Sequence, residues 1–370
     1  MNAKVTRRAL LQATAVGVVA RSLHAESPTV MSTHVPVAVS SENGLRAAER
    51  AVLRMREGKD PLEAAIDGAG ILEDDPEEMT VGYGGVPNEE CVVQLDACVM
   101  HGPTARAGAV GSLEGCKNPT RLAKLVMETT DHVLLVGPGA RRFADLNGFA
   151  YENLLTEKAR KVWLYWKENL SGKDKWLEPD EQHLDLDVKA FMEKYGRSQF
   201  RDPTIGGTVH VSACDSKGDL AGCTSTAGLF FRMPGRVGDS ALIGAGCFTD
   251  NAVGSAGSTG RGEANILVGG GALAVELMRR GANPKDACLG VLERIATTTK
   301  EKRLLDKHGR PAFNIFYYAL NKRGEYGGAA MWGGLNYWAG SKNPASYSVA
   351  DANGARIETC ASLFPGKWES

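Results

Sequence analysis

Four short strings hold the residues best suited to chemistry: Gly207-Thr208, Thr224-Ser225-Thr226, Gly235-Arg236-Val237-Gly238-Asp239-Ser240 and Ser258-Thr259-Gly260. A threonine hydroxyl is a weak nucleophile until a base accepts its proton, and the simplest base is the residue's own α-amine once that residue is N-terminal. With a pKa of about 7.7–8.0, such an amine acts close to neutral pH. Thr208 reaches that state only if the Gly207–Thr208 bond is cut. Taken singly, each string also reads as ordinary strand or turn sequence, so the weight lies on their combination.

Other chemistries lack their usual patterns. Neither H-E-x-x-H nor G-x-S-x-G occurs. The run Gly254–Gly262 is glycine-rich, but no spacing matches a phosphate-cradling loop followed by Lys and Ser or Thr. The eight cysteines form no C-x-x-C pair and no Cys/His set with zinc spacing, and they read as mostly buried free thiols. His132 abuts the apolar run 133–136 and reads as a core or strand-edge residue.

Elements able to position the four strings follow from periodicity. Leu45, Ala48, Val52 and Met55 predict a helix ended by Gly58, and Asp60-Pro61 opens a second helix that runs toward Pro76. A third is expected over 120–128, and the run 133–136 reads as a buried strand ending at Gly137. The charged, tryptophan-bearing stretch 152–202 reads as a solvated helix and loop. Strands are expected at 208–215 and 220–226, a helix at about 272–280, and a strand pair at 313–320 and 326–331. Helices and strands in this alternation suggest layers.

Taken together, the strings resemble the N-terminal-nucleophile hydrolases of the glycosylasparaginase and plant-type asparaginase (isoaspartyl peptidase) family. Upstream, Leu72-Glu73-Asp74-Asp75-Pro76, Val81-Gly82-Tyr83-Gly84-Gly85 with Pro87, Leu95-Asp96-Ala97-Cys98, Lys117-Asn118-Pro119 and 132–137 are similar to the glycosylasparaginase branch. The resemblance spans about 36–331. It implies an α+β fold, a four-layer αββα sandwich, made as an inactive precursor that cuts itself into two chains that stay together. Those chains would be 26–207, with a charged linker over about 152–203, and 208–370.

By the same resemblance Thr208 is the nucleophile, Thr226 tunes it, Arg236 and Asp239 hold the substrate's α-carboxylate and α-amino groups, and Thr259 with Gly260 forms the oxyanion hole. These roles suit the residue types: a guanidinium for a carboxylate, and a hydroxyl and backbone N–H for a developing oxyanion. Thr204-Ile205-Gly206 copies the string that follows the family nucleophile, yet only Thr208 keeps the family intervals to Thr226, Arg236 and Thr259. Two departures stand out. Gly207 replaces the aspartate that glycosylasparaginases use in self-cleavage, as in plant-type asparaginases, and Ser41 replaces a substrate-contacting tryptophan. The expected reaction is attack by Thr208 on the side-chain amide of an asparagine derivative, first N4-(β-N-acetylglucosaminyl)-L-asparagine, with isoaspartyl dipeptides or asparagine as the alternative. A non-cleaving homologue that binds small ligands or serves structurally is the alternative of another class.

No cofactor, metal or nucleic acid is expected. With 43 Lys+Arg against 44 Asp+Glu, the 370-residue chain lacks the basic excess of a general nucleic-acid binder. Residues 1–25 run from basic (Lys4, Arg7-Arg8) through a weakly apolar stretch to small residues at Ala25, and read as a twin-arginine-like export signal. Its removal leaves 39 Lys+Arg against 44 Asp+Glu. The mature protein is thus expected to be periplasmic or extracellular and free of the membrane, with a small amide as substrate and a dimer of processed pairs as its assembly.

Overall fold

The computed structural model describes residues 35–170, 179–200, 206–334 and 344–369; the export-signal reading of 1–25 and the decoy Thr204 lie outside them. The strands at the centre are β5 (Gly206–Cys214) and β6 (Leu220–Leu229), joined by a tight turn and paired antiparallel. Strand alternation gives β5 two faces. Val209, Val211 and Ala213 join an apolar cluster with helices α1 (Leu45–Arg56) and α2 (Pro61–Glu73), including Ala47, Ala51, Leu62 and Ile66. On the other face lie Thr208, His210 and Ser212, all buried.

β5 and β6 lie inside an eight-stranded sheet. Its other strands are β1 (Val37–Ser41), β2 (Leu95–His101), β3 (Arg106–Leu113), β4 (Leu134–Val136), β11 (Ser346–Asp351) and β12 (Gly354–Thr359). Their order is β12-β11-β1-β5-β6-β2-β3-β4, antiparallel except for the β3–β4 edge. Facing it is a five-stranded sheet ordered β13-β10-β9-β8-β7, made of β7 (Cys247–Asp250), β8 (Gly254–Gly260), β9 (Ile315–Asn321), β10 (Tyr326–Trp332) and β13 (Ala361–Phe364). β8 packs across β5 and β6. With α3 (Pro119–Thr129), α1 and α2 cover the first sheet. After α4 (Gly137–Leu146), α5 (Glu157–Asn169), α6 (Leu186–Tyr195) and the short α7 (Gly262–Ile266) come α8 (Gly270–Arg279) and α9 (Pro284–Thr298), which cover the second sheet. The result is the four-layer αββα sandwich expected from the resemblance.

The first two helices form as their sequence signals require. Asp60 caps α2 by accepting the Leu62 N–H at 2.8 Å, with Pro61 in the first turn, where its missing N–H is harmless. Two expectations are corrected. The run 133–136 is not buried: β4 is an edge strand with Leu134 37% and Val136 50% exposed, and His132 beside it is exposed. An apolar run identifies a strand without saying whether anything covers it. The charged stretch beyond 152 is more than a solvated linker. Helices α5 and α6 turn Val162, Tyr165, Trp166, Phe191 and Tyr195 into an aromatic cluster with Phe230 and Phe231, while their charges face out. All eight cysteines are unpaired thiols, seven of them buried. Among the described residues no helix is long and apolar enough to cross a membrane.

Candidate active site

Thr208 sits at an irregularity in the β5–β6 ladder. Gly207 pairs with Gly228 and Thr208 with Thr226, so Ala227 is the extra residue of a bulge. The bulge frees the Ala227 N–H, which donates to the Thr80 carbonyl at 2.7 Å. The Thr226 hydroxyl donates to the Gly207 carbonyl, the acyl oxygen of the Gly207–Thr208 bond, and accepts the Gly228 N–H at 2.8 Å. Two of the sequence candidates, Thr208 and Thr226, are thereby brought side by side.

The remaining candidates arrive from the loop after β6 and from β8. Thr208, Thr226, Gly228, Arg236, Asp239 and Gly260 line one narrow cleft. In the uncut chain this cleft holds about 10 Å³, scarcely one water. A roomier groove of about 540 Å³ between α1 and the β11–β12 hairpin is lined by Arg46, Arg50 and Arg56 and lacks a nucleophile. The chemistry therefore marks the smaller site.

Arg236 pairs with Glu263 through Nη2 at 2.8 Å and Nε at 3.0 Å. Burial would push the Glu263 carboxyl up, but the charge and hydrogen bonds of Arg236 hold it below its ordinary value. The guanidinium is therefore already engaged by a carboxylate. Asp239 is buried and accepts from the Ser258 hydroxyl at 2.8 Å and the Asn265 amide at 2.7 Å. Burial raises its pKa against those two bonds. A carboxylate destabilised in this way gains most from an arriving ammonium group. Thr259 pairs with the Tyr318 hydroxyl at 2.7 Å. Gly260 has φ +112°, and a Cβ there would lie 2.7 Å from the Asn314 carbonyl oxygen. Only glycine accepts that backbone, which leaves the end of β8 open to the cleft.

Sequence reasoning passed over the residues that support this set. The Arg232 guanidinium, buried between the loop after β6 and β2, donates to the carbonyls of Ala227 and Gln94; burial lowers its pKa to about 10. Asp96 accepts the N–H groups of Ser112 at 2.7 Å and of Gly238 at 3.2 Å, the latter one residue ahead of Asp239. Asn265 ties Asp239 to Ser258 and to the Tyr317 hydroxyl. Only Asp96 stood in a recognisable string. Ser41 is absent from the cleft: its hydroxyl donates to Asn43 Oδ1 at 2.7 Å and accepts the His210 N–H at 3.3 Å.

A line of hydroxyls continues inward from the cleft. Thr224 donates to the Gly246 carbonyl at 3.1 Å, so it accepts from His210 Nδ1–H at 2.8 Å. His210 Nε2 then accepts from Ser212, which is followed by Ser255 and Thr249 at 2.8 Å steps. Burial lowers the His210 pKa to about 3, so the ring is neutral and this tautomer satisfies every member. Among the described residues no group of three or more His, Cys, Asp or Glu side chains is arranged to hold a metal ion.

Comparison with known proteins gives the family. The family model described as asparaginase matches residues 17–313. The chain belongs to the asparaginase family. This asparaginase-family chain is 37% identical over 331 residues to an N(4)-(β-N-acetylglucosaminyl)-L-asparaginase of Elizabethkingia miricola, covering 89% of this chain and 85% of that one. The enzyme of the same name from Mus musculus is 35% identical over 71% of this chain and 78% of its own length. A probable isoaspartyl peptidase/L-asparaginase of Arabidopsis thaliana is 30% identical over 86% of this chain and 90% of its own. Membership makes the protein a hydrolase.

Proposed function

We propose that this protein is a self-processing amidohydrolase. Its Thr208, freed as a new N-terminus, attacks the side-chain amide of an asparagine derivative and forms a β-aspartyl ester that water releases as aspartate. The observation that carries this reading is the Gly207–Thr208 bond itself. It lies at a bulge, with its carbonyl already accepting the Thr226 hydroxyl, in a cleft that also holds Arg236, Asp239 and Gly260. Arg236 suits the substrate's α-carboxylate and Asp239 its α-ammonium; the N–H of Gly260 and the hydroxyl of Thr259 suit the oxyanion.

N4-(β-N-acetylglucosaminyl)-L-asparagine is the first substrate, supported by the names of the relatives at 35–37% identity. Isoaspartyl peptides or asparagine form the second reading, favoured by Gly207 and by the Arabidopsis relative. The Arg/Asp pair recognises the aspartyl part common to all three, so the leaving group must be read elsewhere. Export by a signal over 1–25 and assembly as a dimer of processed pairs belong to the same proposal.

Mass spectrometry of mature protein tests it. Fragments 26–207 (182 residues) and 208–370 (163 residues) are expected, while Thr208→Ala stays whole and loses at least about 10⁴-fold in turnover. An intact wild-type chain, with Thr208→Ala behaving identically, sinks the reading in favour of a non-cleaving homologue. Relative rates on the three amides then rank the substrates.

A further inference from the structure

Gly207 has no side chain, and the space beside it is filled from another part of the chain. A Cβ built on Gly207 would lie 1.5 Å from the Cβ of Thr80 and 2.1 Å from its Oγ1. Thr80 is buried on the connection between α2 and β2 and is fixed there by its backbone, whose carbonyl accepts the Ala227 N–H of the bulge. Its hydroxyl donates to Oε1 of Glu78. Glu78 is only partly buried, which leaves it in touch with solvent. A hydroxyl committed as donor to a carboxylate keeps its lone pairs for a second donor, and this one packs against the α-carbon of the residue whose carbonyl must be attacked.

We propose that Thr80 and Glu78 together accept the proton released when the Gly207–Thr208 bond is cut, supplying from a distant segment what no side chain at 207 can supply. The proposal rests on the self-cleavage reading above. Thr208 Oγ bonds to the Gly207 carbonyl carbon; its proton passes to Thr80 Oγ1 while the Thr80 proton passes to Glu78. The oxyanion at Gly207 O is held by the Thr226 hydroxyl. The C–N bond then breaks, and the departing nitrogen takes the proton back along the same path. This leaves the Thr208 amine free and Gly207 esterified to Thr208 Oγ. Water hydrolyses the ester, giving its hydroxyl to the Gly207 carbonyl carbon and a proton to Thr208 Oγ.

Purified full-length precursor, followed by fragment appearance over time, tests the relay. Glu78→Gln and the isosteric Thr80→Val are expected to slow cutting about 10²-fold or more, within the range of general-base catalysis. Thr80→Ser, which keeps the hydroxyl, stays within about tenfold, and the double variant Glu78→Gln/Thr80→Val is little slower than either single one. Acetate or formate should partly restore Glu78→Ala, which a merely structural role would not allow. Circular dichroism and thermal unfolding of each uncut precursor check that it is folded. If Glu78→Gln cuts as fast as wild type, the relay is overturned. If Thr80→Val slows while Glu78→Gln does not, Thr80 only packs and the relay is equally overturned. A wild-type chain that never cuts, or a Thr208→Ala chain that cuts at the same bond, overturns the self-cleavage reading and this proposal with it.

Discussion

The two faces of β5 experience opposite environments although the residues alternate one by one. Outward, Val209, Val211 and Ala213 seal against alanine-rich α1 and α2 in a dry apolar layer. Inward, Thr208, His210 and Ser212 meet β8 across a layer of hydroxyls. Shape and volume hold the outer layer, where each buried methyl adds a roughly additive increment. The inner layer is held by a directional chain of donors and acceptors, in which one misplaced proton leaves a buried group unsatisfied. Substitution in the outer layer should therefore cost stability with little effect on the reaction, whereas substitution in the inner layer should cost the reaction as well.

The sharpest test of that division is Asp239→Asn. It keeps the shape and the contacts to Ser258 and Asn265 but removes the charge proposed to meet the substrate ammonium. A fall of about 10²–10³-fold in kcat/KM is expected, mostly through KM, in line with the loss of one partner of a buried charge pair. Steady-state kinetics decide it, and an unchanged KM would remove Asp239 from the clamp. The wild type adds a pH signature: because burial raises the Asp239 pKa, KM should rise as pH falls toward that raised value.

Leu62→Ala probes the outer layer. Leu62 is 2% exposed between α2 and its neighbours, and its truncation should cost about 2–5 kcal/mol in unfolding while leaving kcat of folded enzyme within a few-fold. A collapse of kcat with little loss of stability would erase the contrast between the two faces.

Glu73 is the exception that sharpens the comparison, a carboxyl buried in the apolar layer. It accepts from Ser225 at 2.7 Å and from the Thr120 hydroxyl at 2.9 Å, yet burial pushes it up to about 7. Between its unfolded value near 4.5 and about 7, the folded chain keeps a proton that the unfolded chain releases, so Glu73 lowers stability as pH rises through that window. Glu73→Gln should remove this slope, a difference of about 3 kcal/mol at most. Urea unfolding at pH 5 and pH 8, in uncut Thr208→Ala protein, measures it; parallel losses in both proteins would mean that Glu73 is already ionised in the fold at pH 5.

Legibility from sequence follows the same boundary. The first two helices and the β5–β6 hairpin could be read directly, because caps, turns and period-two alternation are local. β8 could not: Gly254–Gly260 looks like a loop and becomes a strand because β5, β7 and β9 leave room only for small residues. α4 was hidden behind Gly137-Pro138-Gly139, which reads as a strand end although Pro138 sits in the helix's first turn, where proline is tolerated. The supporting residues Arg232, Asn265 and Thr80 lie in no motif, and only the fold brings them to the cleft.

By itself the sequence marked out Thr208, Thr226, Arg236 and Asp239 as candidates at set intervals, and the resemblance carried by those intervals implied a reaction class and a role for each. The tertiary structure alone decided that Ser41 stays out of the cleft, that Glu263 already occupies Arg236, and that Thr80 fills the space beside Gly207. Each of these turns on contacts between residues tens to hundreds of positions apart, which local periodicity does not encode.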